Sequence, residues 1–346
     1  MKRAVFPIVL TLLMLSASAL RGEVVNDLHS AEVPVADRTQ SALNSASRDG
    51  LAQVLVKVSG SSDVLSNPAI KSVLPKARSY VQQYAYAVGR DNTLLAKFEF
   101  NDTVIAGLLR NAGAPLWTAN RPPVLAWVVV ETPAGRQFLG QDTDPVLTEE
   151  LRAAFFRRGV PVQLPLFDLA DSAALSTSVA WQQDTDALKA ASARYGVDDI
   201  LAGRVVALTT GSWAGDWAYL GERSRIDRSI SANSAEDFLQ AGVDAVAEDM
   251  ASRYAVSPSG VSGEGISMSV SGITSYADYA GVVSWLEGLE LIEHANVELI
   301  SGDQMQLRLV AQADSAQLAS IIELNEKLVP LPVPQRDGEL AYQWQK

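Results

Sequence analysis

Cysteine is absent from the 346 residues, which excludes disulfides, thiolate chemistry, cysteine-based zinc sites and a lipidated N-terminal cysteine. Histidine is nearly as scarce, with only His29 and His294, so a Ser-His-Asp arrangement has little to be assembled from. No Gly-x-Ser-x-Gly elbow, Ser-x-x-Lys pair, Walker A run or Gly-x-Gly-x-x-Gly fingerprint occurs. The expectation is therefore a protein that is not an enzyme: no catalytic residue, no metal ligand and no cofactor is assigned. Positive charge is also short, 28 Lys and Arg against 40 Asp and Glu for a net charge of −12, with no basic block. That argues against nucleic acid or an anionic membrane as partner. Beyond the first 20 or so residues no apolar run approaches the length of a membrane span.

What is present begins with a compartment signal. Lys2-Arg3 precede an apolar run from Ala4 to Leu15, and Ala17-Ser18-Ala19 supplies small residues for cleavage. This is the pattern of a secretory signal peptide rather than an anchor. It predicts an exported, periplasmic protein cut near Ala19 that is not an integral membrane protein once the signal is removed. The rest has a globular composition, 48% hydrophobic and 20% charged.

Periodicity predicts an α/β (α+β mixed) fold of three small domains. Residues 23–113 read as a strand, a helix over 37–57, a second helix from Asn67-Pro68 with the stripe Ile70, Val73, Leu74, Ala77, Val81 and Tyr84, a strand Leu94–Phe100, and a helix capped by Asn101. A Pro-containing connector, 114–123, leads to the middle domain, 124–256. There the near-continuously apolar strand 124–131 has the look of a strand buried on both faces. Asp144 caps a helix that begins with Pro145 and ends before Gly159. A short strand (160–164), a polar stretch with a short helix (168–183) and the helix 184–195 follow. The segment Ile200–Leu208, the turn before Trp213 and Trp217, and the strand 223–231 complete a helix-flanked mixed sheet, closed by a long helix from Ser234 to Tyr254. After the Gly/Ser-rich linker 257–265 the order strand, helix, strand, strand, helix over 266–346 is that of a ferredoxin-like βαββα unit, with Leu340–Trp344 as a candidate last strand.

The candidate contact residues cluster in the middle domain: Trp213, Asp216, Trp217 and Tyr219. Two tryptophans and a tyrosine could form an aromatic platform for a glycan or lipid. Asp216 could also meet Asp199 or Glu222 as a hydrolytic carboxylate pair. Against both stands the reading that the aromatics pack a hairpin against a helix while the acids face water. Asp142, Asp144, Asp184 and Asp186 are read as helix caps rather than metal ligands.

The run Arg194-Tyr195-Gly196-Val197-Asp198-Asp199-Ile200-Leu201-Ala202-Gly203, followed by the tryptophan-bearing hairpin and a long helix, resembles a core found in envelope proteins. These are the N-terminal domain of the Tol–Pal β-propeller protein, curli-secretion lipoproteins and penicillin-binding-protein activators. Here Val197 stands where those sequences have alanine. Over its length, through Ala52–Gly60, the Trp117…Arg121-Pro122…Trp127 joint and Tyr195–Trp217, the chain resembles exported proteobacterial proteins classed as a domain of unknown function. Its domain order is similar to that of a periplasmic flagellar ring protein. The resemblance implies a multidomain, non-enzymatic adaptor or assembly factor of the cell envelope that works by protein–protein interaction, with envelope proteins as partners.

Overall fold

The computed structural model describes residues 23–89, 92–208, 210–221, 224–256, 265–325, 327–331 and 339–345. Residues 1–22, which hold the expected signal segment, nearly all of the linker 257–265, Glu222 and Arg223 lie outside the described residues. The fold is mixed α/β and multidomain; among the described residues it has three sheets, each with its own packed core, the largest covered on both faces, and a two-stranded ribbon.

In chain order the elements are β1 (Glu23–Val24), β2 (Ser30–Pro34), α1 (Gln40–Ser59), α2 (Pro68–Val73), β3 (Val81–Val88), β4 (Leu94–Phe100), α3 (Asp102–Asn111) and β5 (Asn120–Arg121). The first sheet has the order β2-β4-β3, and β1 pairs separately with β5. Thr39 caps α1 and Gly60 closes it in the left-handed conformation. Leu43, Leu51, Val54, Leu55 and Val58 are all buried against Phe98, Ile105 and Leu109. The second helix of the sequence reading is corrected here. Pro75 has no N–H to continue the helical ladder, so α2 stops at Val73, tightens into a 3-10 turn over Leu74–Tyr80 and gives way to β3. Val81 and Tyr84 are strand residues paired with Phe100 and Phe98.

The second sheet is built from β6 (Val124–Thr132), β7 (Gly135–Phe138), α4 (Pro145–Arg158), β8 (Val162–Gln163), α5 (Leu169–Ala174), α6 (Thr177–Gln182), α7 (Thr185–Ser192), β9 (Asp199–Ala207), β10 (Trp213–Leu220), β11 (Arg225–Ala232) and α8 (Ala235–Tyr254). Its order is β11-β10-β9-β6-β7, with β8 beside β6. The strand β6 is buried on both faces because α4 and α8 cover one side and α6 and α7 the other. The hairpin strand β7 was not anticipated, and the polar stretch 168–183 holds two short helices rather than one.

The third sheet comprises β12 (Ile266–Ser271), α9 (Tyr276–Glu287), β13 (Ile292–Ser301), β14 (Gln304–Ala311), α10 (Ser315–Glu323), β15 (Leu328–Pro330) and β16 (Leu340–Trp344), in the order β13-β14-β12-β16-β15. The β-α-β-β-α sequence forms as expected. The last strand departs from a plain ferredoxin-like sheet: β16 runs parallel to β12, and β15 is displaced to the edge.

Candidate functional site

The four contact residues proposed from sequence sit on β10, where alternation decides their fate. Trp213, Trp217 and Tyr219 share one face, turned towards α8. Trp217 and Tyr219 are each 1% exposed, so they have no surface to offer and the aromatic platform is corrected to core. Trp213 is half-buried against the same core. The indole N–H of Trp217 donates to the Phe238 carbonyl at 3.3 Å.

Asp216 points to the other face. Arg204 donates to it at 2.8 Å and Ser229 at 2.5 Å. The bond from Ser229, then that from Arg204, holds its carboxyl below the usual range. Asp199 lies on the α8 face, where it accepts from the Tyr219 hydroxyl and from Arg253. Burial pushes its carboxyl up. In register Asp216 stands opposite Arg204, five residues along β9 from Asp199. At about 3.4 Å per residue that separation is roughly 17 Å, on opposite faces of the sheet, too far for a glycosidase pair at about 5–9.5 Å. The Asp216–Asp199 pairing is therefore corrected; the Asp216–Glu222 pairing involves a residue outside the described set.

Tyr195 and Arg194, from the resemblance motif, act as anchors for a loop. The Tyr195 hydroxyl donates to Asp171 at 2.5 Å and accepts from the Leu166 N–H at 2.9 Å. Arg194 bonds both Asp168 and Asp171. The Trp127 indole donates to Ser192 on the same side of the sheet.

The connector is a buried joint rather than an exposed tether. Arg121 is 0% exposed, and its guanidinium donates to five backbone carbonyls: Lys57, Trp117, Thr118, Arg158 and Gly159. All five N–H groups are used. The carbonyls of Lys57 and Arg158 belong to the last turns of α1 and α4, whose partial negative charge offsets the buried cation. The ring of Trp117 lies 3.9 Å from the guanidinium carbon. Burial lowers the Arg121 pKa to about 9, so it stays charged at neutral pH. Lys57 donates to the Asp27 and Ser30 carbonyls and stands 4.0 Å over the Phe156 ring. Burial, with Arg121 adding to it, lowers its pKa to about 7. The third core joins the same region through the paired bonds of Leu116 with Val256 and the Ala119 N–H donated to Glu290.

Two surface features remain. A cavity of about 260 Å³ opens where the three cores meet, between α3 and the third sheet, over a floor that includes Trp117. His29 lines it; burial lowers its pKa, partly offset by Asp102. Its ring has no hydrogen-bond partner among the described residues, so no orienting acid makes it a triad base. On the third unit, Tyr276 stacks on Tyr279 with centroids 5.7 Å apart and interplanar angle 28°. Tyr276 is 82% exposed, and the pair lines an open groove with Val297 and Ile300. The sequence reading assigned no role to these tyrosines. Tyr279 lies on the buried stripe with Val282 and Leu286, at i, i+3 and i+7, and a second aromatic one turn before it, at Tyr276, is the signal that could have found the pair.

Among the described residues no group of three His, Asp or Glu is placed to hold a metal, and no helix is long and apolar enough to cross a membrane.

Residues 23–118 match a family described as a domain of unknown function (DUF8605), which takes in the first sheet, its helices and the start of the connector. No curated protein matches the chain.

Proposed function

We propose that the protein is a non-enzymatic adaptor or assembly factor of the bacterial cell envelope, acting from the periplasm after removal of the signal near Ala19. Its work is done by protein–protein contact through the groove beside α9. The observation that carries this is the stack of the exposed Tyr276 on the half-buried Tyr279, in a groove shared with Ile300, itself 51% exposed. Aromatic groups set in an apolar surface patch are the usual anchors of a protein interface. The flanking strand β13 carries two register shifts; bulges of this kind discourage strand addition at an edge, so the groove rather than the edge is the docking surface. The likeness of Arg194–Gly203 to the Tol–Pal, curli-secretion and penicillin-binding-protein-activator core supports the same reading.

The test is co-purification of the full chain and of a Tyr276→Ala variant from envelope extracts, beside a thermal-shift screen with peptidoglycan fragments. A partner held by the wild type and lost by the variant supports the proposal. A shift with the glycans and no retained protein would replace it with a glycan-binding module.

A further inference from the structure

The cavity between α3 and the third sheet is polarised. On α3, Asp102, Ala106 and Arg110 follow one another at i, i+4 and i+8 and all three line it. Asp102 and Arg110 are thus about 12 Å apart along the helix axis, at ~1.5 Å per residue, with a small side chain between them. Across the cavity Glu290, which also accepts from the Ala119 N–H, stands in the electrostatic range of Asp102, while at the other end the neutral Gln312 accepts from Arg110 at 3.4 Å and donates to Glu293. Neither Asp102 nor Arg110 forms an ion pair among the described residues. The lining between the two ends is apolar: Leu116 is half-buried, Val256 and Leu291 are nearly covered, and Trp117 is fully buried.

We infer that this slot binds a short zwitterionic peptide with both ends free. Its ammonium group meets Asp102 and Glu290, its carboxylate meets Arg110, and its central side chain rests on the apolar floor. An extended tripeptide is roughly 10 Å long and spans the interval between the charged ends. A single amino acid does not. Mixed apolar and convergent polar walls at a meeting of domains are where small ligands bind. The slot is separate from the α9 groove and does not depend on it.

The experiment is calorimetric titration of the full mature chain with Ala-Leu-Ala, its N-acetyl form, its C-terminal amide, and leucine. Saturable binding of the free tripeptide, weakened about tenfold or more by blocking either end, is expected, since each block removes a charge-assisted hydrogen bond. Arg110→Gln should bind the free acid and the amide alike, and Asp102→Asn should narrow the gap between the free and acetylated N-termini. Both residues are at the surface and their melting temperatures should hold. No saturable binding, equal binding of free and blocked peptides, or leucine binding as tightly as the tripeptide would each overturn the assignment.

Discussion

Gly203 on β9 stands directly across from Trp217 on β10, and a Cβ placed on Gly203 would lie 2.4 Å from the indole Cζ3. The other side of the ring is equally close to Gly242 on α8, where a Cβ would come within 2.4 Å of Cε2. Trp217 is therefore held between two glycines, and the glycine that ends the Arg194–Gly203 motif is there to make room for it. Gly203→Ala forces a buried indole to move. The expected cost is about 2 kcal/mol or more in chemical denaturation, with no effect on any binding that leaves the fold intact.

Arg121 serves five carbonyls from α1, α4 and the connector. A lysine has three donors on a single atom and cannot reproduce this fork. Arg121→Lys should lower unfolding free energy by about 3 kcal/mol or more, because several buried carbonyls lose their donors. Arg121→Met should cost at least as much. Thermal unfolding of both variants beside the wild type is the check.

Lys57 gives the protein a specific pH signature. In the folded state it releases its proton at about 7, in the unfolded chain near its ordinary value of 10.5. Between those values the unfolded state binds more protons, so stability rises with pH, by up to about 1.4 kcal/mol per pH unit from this group. Below pH 7 both states are protonated and the burial penalty is present in full. Denaturant midpoints measured from pH 6 to pH 10 should show the rising limb in the wild type, and it should be missing from Lys57→Met.

Tyr195→Phe removes a donor to Asp171, which is 2% exposed, and also the acceptor for the Leu166 N–H. A loss of about 1–2 kcal/mol is expected. Hydrogen exchange should quicken first in the 164–174 segment that this hydroxyl ties to the motif.

Much of the fold was legible because its signals are local. The Asp144 cap, Pro145 and Gly159 bounded α4, and β6 declared its two buried faces by an unbroken apolar run. Where the signal was ambiguous, a tertiary partner decided. The segment Val81–Val88 carries apolar residues that suit either period, and pairing with β4 makes it a strand. Trp213, Trp217 and Tyr219 fall on the same side of a strand, and the long amphipathic helix α8 that follows was the hint that this side is covered. The buried connector was not legible, since nothing local in 117–121 tells that two helix C-termini converge on Arg121. The slot residues Asp102, Ala106 and Arg110 are a readable helical pattern, but the wall facing them comes from far along the chain, as the Arg110–Gln312 bond across 202 positions shows.

The proposed docking role of the α9 groove is tested most directly by a photo-crosslinking amino acid placed at Tyr276 in cells, with the same probe at Val104, 40% exposed on α3, as the control site. The expected result is a discrete adduct with one other envelope protein from position 276 and none from 104. Ile300→Asp should abolish it while changing unfolding free energy by no more than about 0.5 kcal/mol. Adducts of equal yield from both positions, adducts only with a second copy of the chain, or an adduct indifferent to Ile300→Asp would contradict the proposed adaptor role.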